Sequence, residues 1–439
     1  LWRETGSSLG SGSNHTPING ELGSFYRPDG LLANSKLKWE TTISRNFGID
    51  FGFLNNRVNG SLEVYWNTTK DLLMAVPVDN TTGYSYQFQN FGKTSNRGIE
   101  LSVNVDVINK GDFRFNVGAI YNYNRNKLDE LPNADQYLYS SYWGSSSLVP
   151  TNDYMFVEGK AIGLVRGFIS EGYYTVDDFN YTNGQYVLKE GVPDITKALT
   201  ATYMHPYDLP AGQTAFPGAA KFRDVDESGT VDLDDATCLG EVMPRHTGSF
   251  QLNFNYKNFD LSTNFNWTAG GKVYNVAAMI NASGQEFDGI GAQRASWVAD
   301  AFKVYNVNAA GDLYAVTNPD ELRALNANAK YHLPYHQSGI TSSEWLENGS
   351  YLRLQTLTLG YTLPKNWLTK VHVDKIRLYL TATNLFTITG YSGIDPEVNA
   401  NPTGQSGFYS DLRIFPTLNM DFGTYPRART FTFGANITF

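Results

Sequence analysis

One cysteine, Cys238, stands in 439 residues, so no internal disulfide can form and no cysteine cluster can hold zinc. Charge is scarce as well: Asp, Glu, Lys and Arg make up 18% of the chain, against roughly 25% in an ordinary soluble protein. What charge there is leans acidic, with 34 Lys and Arg against 43 Asp and Glu and a formal net charge of −9. That argues against a general nucleic-acid binder, which needs a basic surface. No apolar run approaches the roughly 18–20 residues of a membrane helix, the longest being like Leu72–Val76. Residues 1–30 hold no apolar segment of signal-peptide type, and the first residue is Leu1. Catalytic signatures are missing too: there is no His-Glu-x-x-His, no Gly-x-Ser-x-Gly and no Gly-rich phosphate cradle. Of the histidines, His332 and His336 have helical spacing, but Pro334 between them removes the helix that a metal pair would need. An enzyme is therefore not expected, and Cys238 reads as a small buried side chain.

Aromatics, by contrast, make up 14% of the chain, with 28 Tyr, 26 Phe and 8 Trp. They fall into a period of two. From Phe431 to Phe439 every odd position is apolar and every even one is polar or Gly. Ile99–Val107 repeats the pattern, as do Phe113–Tyr121, Phe250–Tyr256, Phe259–Trp267 and Ile376–Ala382. Less regular segments at 38–53, 58–74 and 349–362 complete a set of nine predicted strands. Each runs roughly 10–16 residues, longer than the usual five or six and close to the 9–11 that a tilted strand needs to cross a membrane. A soluble β-sandwich is the competing reading of the same alternation.

The connections decide between the two. Leu54–Arg57, Asn109–Asp112, Lys257–Asn258 and a modest turn through Pro364 and Trp367 alternate with much longer segments. Short turns at one end and long loops at the other mark an outer-membrane barrel with polar alternate residues facing its lumen and apolar ones the lipid. Barrels of this kind have even strand numbers, so nine strands imply the C-terminal portion of a larger one. If the last strand runs towards the periplasm, residues 1–37 are an external loop, as are 127–246, 270–348 and 389–427. Loop 127–246 carries 18 acidic and 8 basic residues, while the rest of the chain is almost neutral. So local an excess asks for a cation. Trp39, Trp66, Trp267 and Trp367 stand near strand ends, where an aromatic girdle belongs.

Within that acidic loop, residues 224–235 fit the twelve-residue calcium loop. Ligand positions fall on Asp224, Asp226, Ser228, Thr230, Asp232 and Asp235. Gly229 occupies the sharp turn and Val231 is the apolar residue that packs behind it. Thr230 would contribute its carbonyl. Asp235 replaces the usual Glu, and its shorter arm favours weaker binding of a structural Ca2+. The ion would tie down a long loop expected to have little apolar content of its own. Aromatic clusters at Tyr137, Tyr139, Tyr142 and Trp143, and at Tyr331, Tyr335 and Trp345, are candidates for stacking on a substrate or for packing the loops together.

Four segments carry a family resemblance. Leu37–Thr42 with Gly48–Gly52, Asn90–Glu100, Asn384–Glu397 and Pro426–Gly434 resemble recurring landmarks of the SusC/RagA family. The resemblance implies an all-β fold, the C-terminal portion of an antiparallel transmembrane barrel of about 22 strands, in the outer membrane of Bacteroidetes bacteria. It further implies TonB-dependent import of an oligosaccharide or oligopeptide, with a SusD-like lipoprotein over the external loops. The N-terminal plug and TonB contact of such proteins are not in this sequence. A passive porin or surface adhesin on the same barrel remains an alternative, as does a soluble calcium-stabilised carbohydrate-binding β-protein.

Overall fold

The computed structural model describes residues 6–8, 16–18, 21–23, 26–28, 31–82, 84, 86–90, 92–131, 136–140, 149–200, 205–283, 295–333, 339–368, 373–398 and 419–439. Nine strands form one antiparallel sheet in which every strand pairs with its neighbours in sequence. They are β1 Thr41–Phe53, β2 Val58–Lys70, β3 Lys93–Lys110, β4 Phe113–Glu130, β5 His246–Tyr256, β6 Phe259–Ala269, β7 Tyr351–Thr362, β8 Lys375–Thr389 and β9 Thr430–Thr438. A single sheet, in place of two facing ones, removes the sandwich. The strand ends differ from the sequence expectation by a few residues, mainly where β3 and β4 extend as a tall ribbon beyond the region of clean alternation.

Register explains how the period of two works. Asp106, Asn116, Asn253, Ser262, Thr358, Thr381 and Thr432 lie side by side across seven strands. Neighbours in this row bond directly: Asn116 Nδ2 donates to Asp106 at 3.0 Å, and Ser262 Oγ to Asn253 at 2.7 Å. On the opposite face Val105, Val117, Leu252, Thr263, Leu357, Ala382 and Phe431 form the matching row. Rings stack along that face, Phe115 on Phe254 at 4.2 Å and Phe250 on Phe265 at 4.6 Å. Phe431 and Phe433 remain 65% and 74% exposed, so this face has no core of its own to bury against. A one-residue slip in any strand would put apolar rings on the polar face, and this fixes the register.

The long connections all leave one end of the sheet. Those spanning 131–245 and 270–350 fold together into a module with its own core. Phe168, Tyr174, Ile195, Phe216 and Val231 from the first pack with Phe302, Leu322 and Ile340 from the second. A second cluster joins Tyr154, Val165 and Val242 to Tyr274, Met279 and Trp345. The expectation of a loop with little apolar content is thereby corrected. Its apolar residues are scattered between Gly, Asn and Pro without periodicity, and only tertiary folding collects them.

Candidate metal loop and long-loop module

In segment 224–235 the backbone wraps around its own carboxylates. Asp224 Oδ1 accepts from Ser228 N at 3.1 Å and Oδ2 from Gly229 N at 2.7 Å. Asp226 Oδ1 accepts from Ser228 N at 3.0 Å, and these Ser228 hydrogen bonds hold the Asp226 carboxyl below its usual range. Gly229 sits at φ +86°, a conformation that favours glycine. Asp235 is fully buried and accepts from the N–H groups of Val225, Asp226 and Asp232 at 2.5, 3.2 and 2.8 Å. Val231 is also fully buried, and Thr230–Val231 pairs in parallel with Asp194–Ile195, which pins the back of the loop to the module core.

One oxygen each from Asp224, Asp226 and Asp235 lies within 4.8 Å of the others. Oxygens sharing one calcium at 2.3–2.6 Å stand at most about 5 Å apart, so this convergence fits the ion. Asp232 does not join the trio, because its side chain caps the following turn by accepting from Asp234 N at 2.8 Å. Ser228 Oγ lies within the loop and donates to the Thr230 carbonyl at 3.0 Å. Arg166 Nη2 donates to the Leu233 carbonyl at 3.1 Å, tying the loop to strand Leu164–Gly167.

The aromatic candidates separate into two groups. Trp345 is 5% exposed inside the second cluster, which leaves it no open ring face. Tyr331 stacks on Trp297 at 5.1 Å, and Tyr139 packs towards Phe156 at 6.5 Å. These three hold the module together. Tyr142, Trp143 and Tyr335 lie outside the described residues, as does the side chain of Tyr137. His332 is a core histidine set edge-on to Trp297, while His336 lies outside the described residues. Cys238 is exposed on strand Thr237–Glu241, contrary to the expectation of burial, because the strand turns its neighbour Leu239 to the second cluster and Cys238 to the other face.

One constellation escaped the sequence reading. Arg353 on β7 is 1% exposed and carries two acids brought down by the connection after β8. Its Nη2 pairs with Asp395 and its Nη1 lies 3.1 Å from Glu397. Nε donates to Thr387 Oγ1 at 3.1 Å, and Glu397 also meets Arg427 at 2.6 Å. Register places Arg353 beside Asn266 and Thr387 on the polar face, so the cluster closes over the top of the sheet interior. The two acids sit in the segment Asn384–Glu397 that carries the family resemblance; their partner, some forty residues upstream, has no local signal.

Residues 6–385 match the family model described as TonB dependent receptor-like, beta-barrel. Among curated proteins the chain is 30% identical over 409 residues to the TonB-dependent receptor P3 of Formosa agariphila, covering 93% of this chain and 35% of the relative. It is 27% identical over 416 residues to the TonB-dependent receptor SusC of Bacteroides thetaiotaomicron, covering 92% of this chain and 32% of that one. The chain thus spans about a third of the length of these relatives. Among solved structures it resembles the RagAB peptide transporter with a TM-score of 0.64 at 22% identity, over 100% of this chain and 38% of the other, a likeness of fold. By the family match and the architecture together, the chain belongs to the TonB dependent receptor-like β-barrels of the bacterial outer membrane.

Proposed function

We propose that this chain is the C-terminal part of an importer barrel that moves an oligosaccharide or oligopeptide inward across the outer membrane, driven through TonB and working beneath a SusD-like surface lipoprotein. The observation that carries this reading is the folded module on the long-loop end of the sheet, which offers a shaped platform for a lid. A simple pore has no need of so large a packed structure above its mouth. SusC-type relatives and the peptide-transporter fold support the importer class, and glycan and peptide both remain within it. Family membership sets aside the soluble carbohydrate-binding alternative. The test is growth on candidate glycans and peptides after deletion of the neighbouring surface-lipoprotein gene. Loss of growth on one nutrient supports the reading. Undiminished growth on a nutrient that needs the barrel favours the passive pore or adhesin.

The acidic loop has a supporting part in this proposal. Asp224, Asp226 and Asp235 would hold a structural Ca2+, with Ser228, Thr230 and Asp232 completing the shell directly or through water. Bound there, the ion supplies positive charge to a crowded carboxylate group and rigidity to the module. Preorganised loops bind partners with less entropic cost. Calorimetric titration of calcium into the detergent-solubilised protein tests this, and no uptake at millimolar concentration sinks it.

A further inference from the structure

Most acids on strands β1 to β4 lie on one face. The acids Asp50, Glu63, Glu100 and Asp106 share the polar face with Ser61, Ser102 and Asn116. Arg45, Trp66, Arg97 and Arg125 are register partners on the other, apolar face, side by side on four adjacent strands. At the usual strand spacing this row is about 14 Å long. All four side chains are exposed. Among the described residues, no hydrogen bond or ion pair engages the guanidinium groups of Arg45, Arg97 or Arg125. The nearby acids Asp129 and Glu130 are already taken by Lys127 at 3.3 Å and Lys93 at 2.9 Å.

The height of the row is informative. On β4 the apolar-face positions run Phe113, Phe115, Val117, Ala119, Tyr121 and Tyr123. Ten residue steps make about 34 Å along the strand and about 24 Å of height at a 45° tilt, which matches the roughly 25 Å lipid-facing band of such barrels. Arg125 is the next position up. The row therefore stands where hydrocarbon gives way to headgroups, at the end from which the long loops leave. Tyr121, Tyr123, His246 and Trp267 cluster at the same level, with Tyr121 Oη 2.8 Å from His246 Nδ1. Beside them a shallow hollow of about 740 Å³ is lined by Val64, Trp66, Lys93 and Arg97, with Asp129 and Glu130 at its edge, among others.

An unpaired cation facing lipid is costly unless it reaches an anion. Three of them in one row at headgroup height, with Asp50, Glu63, Glu100 and Asp106 turned to the opposite face and Asp129 and Glu130 above the row held by lysines, are complementary to a phosphorylated headgroup. Arginine binds phosphate through paired donors, and the Trp66 ring suits the interface between them. We propose that Arg45, Arg97 and Arg125, with Trp66, form a binding site on the outer wall of the barrel for the headgroup phosphates of an outer-leaflet lipid. The proposal rests on membrane residence and not on import, so it can fail without the functional reading failing.

The experiment uses the full-length transporter in detergent, analysed by native mass spectrometry after addition of lipid A, a bis-phosphorylated glycolipid, or its dephosphorylated form. Wild type should retain the phosphorylated lipid at least tenfold better than the dephosphorylated one. The triple variant Arg45→Gln, Arg97→Gln, Arg125→Gln should lose that preference, while Arg114→Gln, at the opposite end of β4, should keep it. Should the triple variant fail to assemble, the single Arg97→Gln variant is expected to lower retention several-fold. Equal retention of both lipids by wild type, or an unchanged preference in the arginine variants, overturns the site. So does competition by inorganic phosphate alone at the same concentration as the lipid, since that would make it a free-anion site.

Discussion

Asp260 on β6 and Arg377 on β8 are joined by a two-point ion pair although β7 runs between them. Arg377 Nε donates to Asp260 Oδ1 at 2.9 Å, and Nη2 reaches the second carboxylate oxygen. They meet over Gly360, where a Cβ would collide with both groups. The pair lies on the polar face near the short turn Lys257–Asn258, so it braces three strands at the end away from the long loops.

Gly360→Val should therefore break the brace without touching either charge. Arg377 would be left facing the interior, and the loss is roughly 1–2 kcal/mol for a pair that is only partly exposed. The measurement is the temperature at which the barrel loses its compact form on semi-native gels. Asp260→Asn should lower it to a similar degree, and the combination should add little further.

Arg353 is the larger stake. Truncation to Met strands Asp395 over the sheet interior and leaves Glu397 with Arg427 alone, and breaking a buried pair of this kind costs about 3–5 kcal/mol. The loss should appear first as protease sensitivity or fast hydrogen exchange in segment 390–398. Arg353→Met with Asp395→Leu should recover part of the protection, because it removes the uncompensated acid.

For the metal loop, calcium at 100 times its Kd should stabilise the module by about 2.7 kcal/mol. The upward shift of the unfolding midpoint should vanish in Asp224→Ala. Asp235→Ala should be the worse variant even without calcium, since Asp235 accepts from three backbone N–H groups. A calcium shift that survives in both variants removes this loop as its source.

Two acids in the module give opposite pH signatures. Burial pushes Asp178 up, but Lys221 at 2.9 Å and the Thr175 hydrogen bonds outweigh it and hold the carboxyl below its ordinary value. Its stabilisation is present above the unfolded value of about 3.9 and is lost as pH falls through the lowered folded value. Burial pushes Glu344 up, with His332 opposing, so its contribution is present below about 4.3 and is lost as pH rises through the raised folded value. A pH scan of the module's unfolding midpoint should show a shallower acid limb in Asp178→Asn. In Glu344→Gln it should lose the decline that begins above about 4.3.

The barrel wall was legible because each strand repeats one decision, apolar or polar, at every step. Phe431, Phe433 and Ile437 against Asn436 needed no partner to declare their faces. The calcium loop was legible because its ligands sit within twelve residues. What stayed hidden depends on distance. Leu322 joins Phe168 in one core, and Arg353 finds Asp395, only after the long connections have folded against each other. For Trp345 stacking and packing stayed open, because sequence shows a ring but not what covers it.

Energised import is tested most directly by uptake of the radiolabelled cognate nutrient into cells carrying the full-length protein, with and without TonB function. Accumulation against a gradient should collapse to background when TonB is removed, while surface binding of the nutrient persists. Uptake at the same rate in cells lacking TonB function would contradict it and make the barrel a passive pore.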